Sequence, residues 1–128
     1  MDLQFLEFDC SEDAEGVVCW DALAQPLPRY RQALLNEVAS VLAWAHGWSP
    51  QGPGALEDGA DFDFDLQASA LQTGQGPKAI DLVFHPGTGD IACGPLLADA
   101  PDAALALSLS LSGTPAFAKA FRAHWGAP

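Results

Sequence analysis

Residues 61–70 alternate strictly between polar and apolar side chains, in the order Asp-Phe-Asp-Phe-Asp-Leu-Gln-Ala-Ser-Ala. Successive side chains of a β-strand point to opposite faces, so this alternation predicts a strand with one face in a core and the other in water. Strands that are half buried in this way are typical of antiparallel sheets. The chain is therefore expected to fold around an antiparallel sheet that has one face in contact with solvent.

Other segments rich in aromatic or aliphatic residues are also predicted to be strands. They span residues 3–9, 17–23, 78–85, 91–93 and 103–112. The first two, joined by an acidic loop, are expected to form a hairpin. In the last one, Leu105, Leu107, Leu109 and Leu111 alternate with Ala106, Ser108, Ser110 and Ser112. This pattern predicts a second half-buried strand, with the leucines facing the core.

Two helices are predicted. Residues 29–46 carry an apolar stripe at helical spacing, and Gly47 is expected to end this helix in a left-handed cap. The stripe consists of Leu34, Leu35, Val38, Val41, Leu42 and Ala45. The second helix is expected to begin with Thr114 as its N-cap and Pro115 as its first residue. Its predicted buried stripe contains Phe117, Ala120, Phe121 and either His124 or Trp125.

The predicted order of elements is ββαββ(β)βα, with the short segment 91–93 in brackets and a loop over 94–102. Neighbouring strands joined by turns favour an antiparallel sheet. The chain is therefore predicted to be an α+β two-layer sandwich, with five or six strands and both helices on one face. Its 128 residues and 13.4 kDa fit a single domain, 1–128, with one core.

The chain is strongly acidic, with a formal net charge of −12 and an isoelectric point near 4.1. Such a charge repels phosphate backbones, so direct binding of nucleic acid is not expected. The acids are unevenly distributed. Residues 1–26 hold seven and residues 49–77 hold five, with no lysine or arginine in either segment. The simplest interpretation is a solvated surface that keeps the protein soluble.

The cysteines and the start of the chain indicate in which cellular compartment the protein is expected. Cys10, Cys19 and Cys93 are odd in number and include no C-x-x-C pair, which predicts reduced thiols. Met1 and Asp2 lead directly into a folded pattern, so no signal peptide is expected. No apolar run approaches the roughly 18 residues of a membrane span. These observations predict a cytoplasmic protein without membrane contacts.

Acids and aromatic residues together form the leading candidate for a binding surface. Its residues are Asp61, Asp63 and Asp65, on the polar side of the strand, and Trp44, Trp48 and Trp20, which are expected to be exposed or poorly covered. Aromatic anchors with charged surroundings are typical of partner-binding surfaces. The leading interpretation is therefore a non-enzymatic protein that binds a protein partner or forms a homodimer.

Two other functions are compatible with the sequence. A small enzyme or ligand-binding domain would use a pocket near Asp81, His85 and Cys93, where a turn over 86–90 would bring thiol and imidazole together. Alternatively, the acidic face would imitate nucleic acid, although three aspartates cover a short distance compared with a duplex. No metal site and no cofactor are predicted, because the histidines and cysteines are scattered singly.

Three blocks of the sequence resemble a family of small, acidic, uncharacterised bacterial proteins. They are Leu-Glu-Phe-Asp-Cys-Ser-Glu-Asp-Ala-Glu-Gly at 6–16, Asp-Phe-Asp-Leu-Gln at 63–67 and Leu-Ser-Gly-Thr-Pro-Ala-Phe at 111–117. The resemblance extends over nearly the whole chain. It implies a bacterial, cytoplasmic protein and brings no activity or catalytic residues with it.

Overall fold

The computed structural model describes residues 3–94, 100 and 102–128. The described strands are β1 (Asp9–Glu12), β2 (Val18–Ala24), β3 (Phe62–Leu71), β4 (Lys78–Ile80), β5 (Leu82–His85), β6 (Asp90–Cys93) and β7 (Ala104–Gly113). The described helices are α1 (Arg31–Trp48) and α2 (Pro115–Trp125). Short 3-10 turns over Pro28–Tyr30 and Leu56–Asp58 accompany them. Most of the predicted loop 94–102 lies outside the described residues.

The strands form two antiparallel sheets. Five strands pair in the order β1-β2-β7-β3-β4, and β5 and β6 form a separate two-stranded hairpin. Strand β7 is central and pairs along its length with both β2 and β3. The fold is α+β, as predicted, with a five-stranded antiparallel sheet and, among the described residues, two helices.

The core lies on the inner face of the five-stranded sheet, which is the face covered by the helices. The four alternating leucines of β7 are each at most 2% exposed, which confirms the predicted direction of this strand's faces. Their partners on β2 and β3 are also inward, because directly paired residues share a face. These partners are Trp20, Ala22, Ala24, Phe64, Leu66, Ala68 and Ala70.

Helix α1 packs its predicted stripe against this face. All six stripe residues are buried, but the helix continues through Gly47 to Trp48. The predicted left-handed cap at Gly47 is therefore wrong. The backbone N–H of Ser49, the residue that follows, donates to the carbonyl of Ala45. A lone glycine inside a helix lowers its stability only modestly, and packing of the stripe outweighs that cost.

Helix α2 begins as predicted. The hydroxyl of Thr114 accepts a hydrogen bond from the backbone N–H of Phe117 at 3.3 Å. A Cβ atom at Gly113 would overlap the ring of Phe117, so glycine is needed at the end of β7. The ring of Phe117 instead stacks on that of Phe62, at 5.2 Å between centroids. This contact joins α2 to the inner face of the sheet.

The N-terminal segment differs from its prediction. Residues 3–8 are irregular, and the first strand is β1, Asp9–Glu12. The carboxylate of Glu37 on α1 accepts hydrogen bonds from the backbone N–H groups of Gln4, Phe5 and Leu6. Because a side chain on a helix supplies these acceptors, the segment has no need of a strand partner there.

The predicted strand 78–85 is divided. Strand β4 ends at Ile80, the chain turns at Asp81, and β5 belongs to the hairpin. Leu82 and Phe84 still pack against the core, as their alternation predicts. The ring of Phe84 lies 4.8 Å from that of His46 on α1. The hairpin therefore packs partly on the helical layer, and β4 pairs with β3 only over Ala68–Ala70.

Candidate functional site

The second face of the five-stranded sheet, which we call the outer face, points away from both described helices. Most of its side chains are small or polar. Its side chains are Asp9, Ser11, Cys19, Asp21, Leu23, Asp63, Asp65, Gln67, Ser69, Leu71, Ala79, Ala104, Ala106, Ser108, Ser110 and Ser112. None of these positions is a lysine or arginine, so the face has no positive charge of its own.

One half of the outer face is acidic. Strand pairing aligns Asp9, Asp21, Ser110 and Asp65 in one row across the sheet. The hydroxyl of Ser110 donates to a carboxylate oxygen of Asp21 at 2.6 Å, and the amide of Gln67 donates to Asp65 at 2.9 Å. Neighbouring strands lie about 4.8 Å apart, so the backbones of Asp21 and Asp65 are separated by about 10 Å. We call this part of the face the acidic row.

The other half contains a groove of about 840 Å³. The central strands supply the small residues Ala106, Ser108 and Ser69 to it. The larger side chains of Leu23 on β2 and Val83 on β5 flank it and are 81% and 50% exposed. The groove is therefore open to solvent. It has small side chains at its centre and apolar side chains at its sides.

Two of the predicted acidic binding residues lie on the outer face, and one does not. Asp65 is exposed there, and Asp63 is half buried with its carboxylate accepting from the backbone N–H of Phe64. Asp61 lies before β3, where its carboxylate accepts a hydrogen bond from the buried hydroxyl of Ser49 at 2.7 Å. The amide of Gln51 donates to the same oxygen. Asp61 thus holds the loop that follows α1.

The predicted aromatic residues lie on the helical side of the sheet. Trp44 is half buried and stacks on His124 of α2 at 5.2 Å between ring centroids. Trp48 is 38% exposed and meets Phe117 edge to face. Trp20, which was expected to be poorly covered, is fully buried, and its indole N–H donates to the carbonyl of Pro128 at 3.0 Å. The structure therefore does not bring the acids and the tryptophans together.

His85 and Cys93, the predicted catalytic pair, lie at opposite ends of the β5–β6 hairpin. His85 pairs with Asp90, whereas Cys93 pairs with Leu82 at the other end. Alternation then directs His85 and Cys93 to opposite faces. Burial raises the pKa of the Cys93 thiol, and the nearby Arg31 guanidinium offsets this only in part, although the residue as a whole is exposed. An activated nucleophile needs the opposite shift. Asp81 lines the groove, and its backbone carbonyl accepts a hydrogen bond from the N–H of Gly94, the residue after Cys93.

The exposure of Leu23 and Val83 was not predicted from the sequence. A signal was present in both cases, because Leu23 follows Asp21 on the polar side of its strand and Val83 alternates with Leu82 and Phe84. What the alternation did not reveal is that strands distant in the chain bring these two side chains to the same groove.

Metal ligands do not converge in the described part of the chain, where no group of three or more His, Cys, Asp or Glu residues is placed to hold an ion. No described helix combines the length and the apolar character needed to cross a membrane. All three cysteines are free thiols, and strand pairing directs Cys10 and Cys19 to opposite faces of their hairpin.

Comparison with known proteins gives no match to a protein-family model, to a curated protein or to a solved structure. The family resemblance of the sequence therefore stays a prediction.

Proposed function

We propose that this chain is a non-enzymatic interaction protein that docks another protein on the outer face of its sheet. The proposal rests on one observation: the highly exposed Leu23 lines an open groove of about 840 Å³. Concave sites with apolar walls and a few polar groups are the usual form of binding sites. Both features lie on the one sheet face that neither described helix covers.

Leu23 gains little from folding, because its side chain projects from the outer face beside Ser108. Full burial of a leucine side chain contributes about 1.5–3 kcal/mol. A partner that covers Leu23 and Val83 would obtain a contribution that the chain alone does not use. The exposed Leu23 therefore favours docking over a purely solubilising role for the outer face.

An enzymatic function has less support from the geometry. The polar side chains that line the groove belong to Gln25, Gln67, Ser69, Asp81 and Ser108, with no histidine or cysteine among the lining residues. Nucleophilic catalysis needs a nucleophile within hydrogen-bond reach of a base. The separation of His85 from Cys93 in the hairpin gives no support to a catalytic pair of these two residues.

Imitation of nucleic acid also has less support. The acidic row crosses three strand spacings, or about 14 Å. A duplex presents phosphates continuously over several tens of ångströms, so the row matches only a small part of such a surface. We propose in addition that the protein acts in the reducing environment of the cytoplasm, which its three free thiols support.

The test of docking compares two leucines. Leu23→Asp alters the groove, whereas Leu27→Asp changes another exposed leucine that does not line it. Proteins captured from a bacterial lysate by the parent chain would be identified, purified and titrated against the parent and both variants. We expect a partner whose affinity falls about tenfold or more with Leu23→Asp and less than about twofold with Leu27→Asp.

Sedimentation at micromolar concentration accompanies this titration. A dimer that Leu23→Asp dissociates would also support docking on this face, with a second copy as the partner. The proposal would be overturned by a 13.4 kDa monomer whose purified binding partners all bind the Leu23→Asp variant as tightly as the parent.

A further inference from the structure

Building on the proposed function, we infer that the docked partner is an extended segment of another protein in which an aliphatic side chain and an arginine or lysine project from the same side. This inference rests on the position of the groove and the acidic row, which lie next to each other along one strand, β7. Ala106 and Ser108 lie in the groove, and Ser110 lies in the acidic row.

The spacing along β7 fits an extended chain. Ala106 and Ser110 are four residues apart on the same face, which corresponds to about 13–14 Å. Side chains on one side of an extended partner recur every two residues, or about 6.8 Å. A partner side chain above Ala106 thus lies four partner residues from a position above Ser110, and one beside Leu23, which pairs with Ser108, lies two residues from that position.

The charges around Ser110 define what that second position accepts. Asp21 and Asp65 flank Ser110 on the neighbouring strands, and both are exposed. Their carboxylates are held in place by neutral donors, the Ser110 hydroxyl and the Gln67 amide. A cation between them would interact with both carboxylates, and the planar guanidinium of arginine would offer several donors at once.

A second copy of the chain fits this surface less well. The outer face contains no lysine or arginine, so a copy placed against it supplies no cation for the acidic row. It would instead bring further carboxylates towards a chain whose net charge is already −12. Like charges placed together at an interface are unfavourable. A basic partner therefore fits the outer face better than a second copy of the chain.

The test uses synthetic octapeptides of serine and threonine as probes. The matched probe has leucine at position three and arginine at position seven, so that both project from one side, and a second version reverses their order. One control moves arginine to position six, on the opposite side, and another replaces arginine with glutamate. Binding would be followed by NMR titration of the labelled chain at low and at high salt.

A pair of charge-matched variants separates the acidic row from general attraction. Asp21→Asn with Asp65→Asn removes two charges from the row, and Glu57→Gln with Asp58→Asn removes two from an exposed 3-10 turn. We expect the first pair to weaken binding of the better matched probe about fivefold or more, and the second pair less than about twofold. High salt should weaken binding as well.

Three outcomes would overturn the inference. The first is equal binding of the arginine and glutamate probes, and the second is equal loss of affinity in both pairs of variants. The third is a dimer in sedimentation that Leu23→Ser dissociates. If the first outcome is found and the probes lose affinity with Leu23→Ser and not with Leu27→Ser, the basic partner is overturned while docking on the outer face stays intact.

Discussion

The two faces of the five-stranded sheet are built from the same strands and differ in what covers them. On β7, every second residue from Leu105 to Leu111 is buried beneath the helices, whereas Ala106 and the three serines are only half buried. The inner face is filled by large apolar side chains and rings. The outer face has small side chains at its centre, with carboxylates and the exposed Leu23 around them, and Val83 of the hairpin borders its groove.

This difference separates stability from recognition. The inner face holds the contacts that folding requires, so changes there should be measured first as loss of stability. The outer face stays partly or fully exposed when the chain folds, so its composition is free to serve binding. Each of the following measurements tests one side of that contrast, from the largest expected effect to the smallest.

The largest effect is expected in the core. Leu107→Ala removes a side chain that is 2% exposed, and loss of burial together with a cavity should lower the free energy of unfolding by about 2–5 kcal/mol. Chemical denaturation measures this change. The control is Ser108→Ala, because Ser108 is the next residue of β7 and lies on the outer face. It should shift the free energy of unfolding by less than about 0.5 kcal/mol. Similar losses from both substitutions would contradict the contrast between the faces.

A smaller loss is expected where the helical layer holds the N-terminal segment. Glu37→Ala removes the carboxylate that accepts from the backbone N–H groups of Gln4, Phe5 and Leu6. Hydrogen bonds to a charged group contribute about 1.5–3 kcal/mol, so we expect a loss of that order and faster amide exchange in residues 4–6. Asn36→Ala on the same helix serves as the control. Unchanged exchange in Glu37→Ala would contradict this role of the carboxylate.

The outer face should tolerate loss of its highly exposed leucine. Leu23→Ser alters a residue that is 81% exposed, so the free energy of unfolding should change by less than about 0.5 kcal/mol. Denaturation curves of parent and variant provide the measurement. A loss above about 1.5 kcal/mol would show that Leu23 contributes to the fold, and would remove the reason for assigning it to a partner.

The smallest effect is expected in the β5–β6 hairpin, which also has one face towards the core and one towards solvent. Cys93 shares a face with Leu82, and burial there raises the pKa of its thiol. A raised pKa keeps the thiol neutral, so its contribution to stability is present below the pKa of the unfolded chain and is lost as pH rises through the folded value. In the C10S/C19S variant, alkylation of Cys93 should therefore reach half its maximal rate at a higher pH in the folded than in the denatured chain. An inflection at the same or lower pH would show that the thiol is not sheltered.

Much of the fold could be predicted because its signals are local. The alternation over 61–70 and the leucines of β7 assigned each residue to a face, and helical spacing identified the buried stripe of α1. The start of α2 was equally clear, because Thr114 and Pro115 act on the first turn of their own helix. These features depend on backbone geometry over a few residues, which a sequence displays directly.

The errors arose where a distant residue changed the outcome. Residues 3–8 looked like a strand, but Glu37 supplies their hydrogen-bond acceptors from a helix. The segment 78–85 had the alternation of a single strand, but its second half packs beside His46. Trp44 lies outside the stripe of its own helix and is covered by α2 instead.

The candidate site shows the same division. The sequence by itself determined that one strand face would be acidic and another small, because alternation separates side chains into two sets at every second residue. Only the tertiary structure decided that Asp21 and Asp65 flank Ser110, and that Leu23 and Val83 share a groove. The reason is physical: the order of strands in a sheet is set by pairing and packing between distant segments, and no local pattern encodes which strands become neighbours.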